Sequence, residues 1–155
     1  MTSTSYENDF YAWTQEQANL LRTGKIHQID WQNIAEEIED MGRSEKRQLE
    51  SRLELLVMHL LKWQFQPNLR SRSWQLTIKE QRLRLEKLFQ ENPSLKSSLD
   101  NALEKIYPLA TLSAEKETGL SSFSETCPYT LAEILSPEFL PCKRWCRFPR
   151  DSSEG

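Results

Sequence analysis

Apolar positions recur along this chain at helical rather than alternating spacing, and polar stretches with glycine, proline or serine separate the periodic segments. Phe10, Trp13, Gln17, Leu20 and Leu21 approximate one stripe, which predicts a first helix from about Asn8 to Thr23 with Asn8 as its cap. Gly24 should stop it in the left-handed conformation. A second helix is predicted to open at Asp30, bury Trp31, Ile34, Ile38 and Met41, and end at Gly42. Its other face carries Glu36, Glu37, Glu39 and Asp40.

The third predicted helix is the spine, a long central element near 44–66 that Ser44 can cap and Pro67 must end. Leu49, Leu53, Leu56, Leu60 and Trp63 alternate spacings of four and three, the seam of helices packed at a shallow angle. Leu55, Val57 and Leu61 widen it enough for several neighbours. A fourth helix, capped by Ser71 or Ser73, should turn Trp74, Ile78, Leu85, Leu88 and Phe89 inward. A fifth is expected from Asn92-Pro93 to Gly119, with Leu95, Leu99, Leu103, Ile106 and Ala110 inside and a kink or split near Lys105 caused by Pro108. Thr130 and Glu133 have capping-box spacing before a last short helix that Pro137 terminates. The fold class is therefore all-α, a single-domain bundle of about five or six helices over 1–141, with 142–155 as a loose tail.

Four glycines in 155 residues disfavour strand-and-turn architectures and dinucleotide loops. Neither a membrane span nor a secretory leader is apparent, so the expected compartment is the cytoplasm and no membrane partner is expected. Net charge is −3, but it is segregated. Through Gly42 there are about 8 acidic and 2 basic side chains; from Arg43 to Lys87 there are about 5 and 11. Such segments can cancel by packing together, with Arg43, Arg47 or Arg72 opposite the carboxylates. Cys127, Cys142 and Cys146 are odd in number and have no histidine nearby, which argues against both a disulfide framework and a zinc site. Glu36, Glu37 and Asp40 cluster, but one helix supplies too few oxygens for a hard cation, so no metal or cofactor is expected.

Candidate chemistry is sparse. Arg70, Arg72, Trp74, Lys79 and Arg82 form the segment best suited to a protein partner or an anion, since guanidiniums, ammonium and helix-start amides all attract negative charge. With Arg84 they could also hold nucleic acid, and the basic–aromatic run Lys143–Phe148 has the composition of a single-strand binder. His59 beside Glu37 would make a polar cluster whose imidazole titrates near neutrality. Adding Arg72 would give the only motive for an enzyme; no nucleophile–base pair or phosphate loop accompanies them, so no catalytic residue is assigned. A structural, hydrogen-bonded His59 is the commoner arrangement. The leading expectation is an interaction or regulatory module with a protein partner or self-association, ahead of nucleic-acid binding through residues 70–84, with an enzyme third.

The phrases NDFYAWTQEQANLLRTG, DWQNIAEEIEDMGRSEKRQLESRLELLVMHLLKWQFQP, RSRSWQLTIKEQR and CPYTLAEILSPEFLP resemble the bacterial domain-of-unknown-function 29 family. The resemblance covers about residues 6–141, in order, and implies a small all-helical protein of a kind common in cyanobacteria. It implies no activity and transfers no site residue. The chain after Pro141 departs from the family's usual end.

Overall fold

Among the described residues there are five α-helices, four of them long, and three short 3-10 turns; 77% of those residues are helical and none lies in a strand. The computed structural model describes residues 5–121 and 123–141. These fall into two compact units, one ending at Glu45 and the other starting at Lys46. The tail from Cys142, including the run Lys143–Phe148, lies outside the described residues.

In the first unit, α1 spans Phe10–Arg22. Its cap is Asp9 rather than Asn8: the Asp9 carboxylate accepts from the Ala12 amide at 3.0 Å, and an ionised acceptor also suits the positive end of the helix. Gly24, at φ +71°, closes the helix as expected. Trp13, Gln17, Leu20 and Ile29 are buried, whereas Phe10 and Leu21 lie at the stripe's exposed margin. Asp30 then organises the next helix start. Its carboxylate accepts from Trp13 Nε1 at 3.1 Å and Asn33 Nδ2 at 2.8 Å, while its amide donates to Gln17 Oε1 at 2.8 Å. The Asn33 bond, more than the Trp13 bond, holds the Asp30 carboxyl below its ordinary range.

The second and third predicted helices are one helix, α2, which runs unbroken from Trp31 to Phe65. Gly42 does not stop it and Ser44 does not cap it. Gly42 lacks a positive φ, and Arg43 reaches back past it to Asp40 and Glu39. A glycine inside a helix costs only about 1 kcal/mol relative to alanine, less than a continuous ladder of backbone bonds recovers. Pro67 does enforce the far end.

In the second unit, Leu49, Leu53, Leu56 and Leu60 are fully buried, with Val57 and Leu61 widening the seam. Against this core pack α3, Arg72–Glu91, through Ile78, Leu85, Leu88 and Phe89, and α4, Leu99–Thr118, through Ile106, Ala110 and Ala114. Trp63 and Trp74 are half-buried. Residues Pro93–Ser98 form a 3-10 segment, so α4 starts later than Asn92-Pro93. Serines compete for the backbone there, as the Ser97 hydroxyl does by donating to the Ser94 carbonyl at 2.8 Å. Pro108 does not split α4: Pro108 and Glu104 are both on the exposed side, where water can satisfy the carbonyl that loses its amide donor. Gly119 ends α4 at φ +73°. The last helix, α5, covers Leu131–Leu135 behind the predicted Thr130–Glu133 capping box, both bonds being 3.1 Å.

Candidate functional site

The N-terminal half of α2 corrects one sequence expectation. Trp31, Ile38 and Met41 were expected inside but are 57%, 61% and 64% exposed, and Ile34 is half-buried. Periodicity identifies a helix face without saying what covers it. The indole Nε1 of Trp31 donates to the Ile26 carbonyl at 3.2 Å, which fixes the ring at the start of this stripe. Beside the stripe, Tyr6 donates its hydroxyl to Glu37 and packs edge-on against Phe10 and Trp13. That hydrogen bond, then desolvation and the charges of Glu37, Glu36 and Asp40, pushes the Tyr6 pKa up to about 12. Arg43 pairs with Asp40 and, at 3.8 Å, with Glu39; both are short-range bridges on its own helix. Among the described residues, Arg47 and Arg72 form no ion pair.

The basic segment of the second unit is distributed over several structural tasks. Arg70 Nε donates to the Trp63 carbonyl at 2.7 Å and its guanidinium sits 5.1 Å over the Trp63 ring, closing the end of α2. Ser71 caps α3 by accepting from the Trp74 amide at 3.2 Å, and Arg72 is its exposed first residue. Trp74 lies under Lys62, whose ammonium is 4.5 Å from the ring centroid and also pairs with Glu117. His59 is buried one turn earlier on α2, its Nδ1 2.9 Å from the Leu55 carbonyl. A carbonyl only accepts, so Nδ1 carries the proton. Glu37, in the first unit, has the Tyr6 hydroxyl as its partner, while His59 has the Leu55 carbonyl. Arg84 pairs with Glu80 at 2.9 Å.

Lys79 and Arg82 share a cleft of about 990 Å³ between α3, the Pro93 turn and the segment around α5. Arg70, Arg72 and Trp74 are not among its lining residues. Arg82 is only 8% exposed. Its Nε donates to the Ile134 carbonyl at 2.9 Å, and its Nη2 to the Phe139 carbonyl at 2.7 Å and the Glu133 carbonyl at 3.5 Å. The guanidinium thus holds the C-terminal end of α5 and the loop beyond it, supplementing the Ser136 amide that also donates to the Glu133 carbonyl at 3.3 Å. The sequence groups Arg82 with Arg70, Arg72, Trp74 and Lys79 as a candidate for a partner or an anion and does not itself indicate that the side chain is buried. The overlooked signal was its position, four after Ile78 and three before Leu85, on the inward face of α3.

No group of three His, Cys, Asp or Glu side chains among the described residues can hold a metal ion. No described helix is long and apolar enough to cross a membrane. A family model described as domain of unknown function DUF29 matches residues 5–140. The chain belongs to the DUF29 family. The DUF29 match takes in all five helices, the exposed stripe and the cleft, and stops before Cys142. Comparison of this DUF29 chain with curated proteins and with solved structures gives no match.

Proposed function

We propose that this DUF29 protein is an interaction module that docks a basic amphipathic helix of a partner protein along the N-terminal half of α2. The observation that carries the reading is the exposed stripe Trp31, Ile38 and Met41, with Ile34 half-buried between them. Their spacing of three, four and three residues suits a second helix at a shallow crossing angle. Charge selects the partner's sign: residues 30–45 hold six carboxylates, Asp30, Glu36, Glu37, Glu39, Asp40 and Glu45, against the single cation Arg43. A second copy of the same stripe would bring like charge against like charge. Gly42, next to Met41, has nothing within 4 Å of where a Cβ would sit, so it leaves the partner's backbone room to approach.

The test uses two synthetic helical peptides with the same leucine seam, one flanked by lysines and one by glutamates, titrated by fluorescence anisotropy. The lysine peptide should saturate at micromolar concentrations and weaken with salt. The double substitution Ile38→Asp with Met41→Asp should reduce its affinity at least about tenfold without lowering Tm. Equal binding of both peptides, or indifference to the double substitution, would overturn the reading. So would a dimer in light scattering that the same substitutions dissolve, since a second copy would then cover the stripe.

A further inference from the structure

We infer that the cleft beside α3 binds a small amphipathic carboxylate, with its head group on Arg82 and its apolar body against Ile78, Leu83, Phe89 and Leu135. The inference is independent of the α2 stripe. A volume of about 990 Å³ suits a small organic ligand, and these side chains give the cleft an apolar wall. Arg82 supplies the polar anchor. Its Nε and Nη2 are committed to the carbonyls of Ile134, Phe139 and Glu133, whereas Nη1 has no acceptor among the described residues. No buried side-chain donor in the described chain lacks a partner, so Nη1 is not sealed from solvent, and Arg82 is one of the residues that line the cleft.

No described carboxylate pairs with this guanidinium. Burial alone lowers the Arg82 pKa, and the group stays charged at neutral pH. A buried cation bound only to neutral acceptors favours an incoming anion, and the planar edge of a guanidinium matches a carboxylate. The remaining charges limit the anion. Lys79, Arg82 and Lys96 face Glu86 and Glu138 around the cleft, three cations against two carboxylates, which suits one negative charge better than two. Glu86 and Glu138 are exposed and hydrated, so their repulsion is screened more than the attraction of Arg82.

Octanoate, octanol and octyltrimethylammonium are suitable probes, followed by calorimetry and ligand-observed NMR on the full chain. Octanoate should bind at least about tenfold more tightly than octanol, the usual margin for a hydrogen bond to a charged group, with the quaternary amine weakest. Leu83→Asp, at an exposed position on the cleft wall, should weaken octanoate about tenfold by like charge while leaving Tm unchanged. Arg82→Lys should weaken it too if circular dichroism shows the variant folded. Equal affinity for octanoate and octanol, unchanged binding by Leu83→Asp, or no saturation by about 1 mM octanoate would overturn the inference.

Discussion

His59 shows how the surroundings of one side chain set a measurable property. Desolvation, and secondarily the nearby Lys62 ammonium, lower its pKa from 6.5, while the Leu55 carbonyl and Glu117 oppose the shift. The folded protein therefore binds the imidazole proton less readily than the unfolded chain. Stability attributable to His59 is complete above the unfolded pKa and falls as pH drops below about 6.5. Melting curves between pH 7.5 and about 5 should show this loss, and His59→Gln should remove its share of the slope. An unchanged slope in the variant would mean that the ring is protonated as readily inside the protein as outside it. The burial of His59 was legible in sequence because it adjoins Leu60 on the seam. That of Arg82 was not, because an arginine identity points outward while only its helical phase points in.

Local chemistry decided which element ends could be read in advance. Gly24 and Gly119 adopt positive φ, Pro67 removes an amide, and Thr130 with Glu133 satisfies two orphan donors; each acts through neighbours in sequence. Gly42 misled because the same residue is tolerated inside a helix when the flanking residues continue the ladder. It differs from the capping glycines in backbone conformation, which its identity does not encode. Gly42→Ala should consequently stabilise the protein by roughly 0.5–1 kcal/mol, since alanine is the better helix former and meets no atom within 4 Å. Urea denaturation measures this directly. A loss of stability would instead point to a left-handed glycine between two helices, the arrangement that the sequence suggested.

The division of α2 between the two units is the feature least visible in the sequence. Its apolar residues recur from Trp31 to Trp63, but burial depends on what packs on each turn. Leu49, Leu53, Leu56 and Leu60 are fully enclosed, while Trp31, Ile38 and Met41 face solvent. Periodicity cannot distinguish these cases, because a core seam and a docking seam have the same spacing. Stability measurements can. Leu53→Ala should cost about 2–5 kcal/mol, the transfer term plus an unfilled cavity. Ile38→Ala, which opens no cavity, should cost no more than about 0.5 kcal/mol. Both follow from chemical denaturation of the isolated chain at two protein concentrations. If Ile38→Ala costs as much as a core truncation, the stripe is already covered in solution. Dependence of that cost on protein concentration would identify a second copy as the cover, and independence would place the cover within the chain itself.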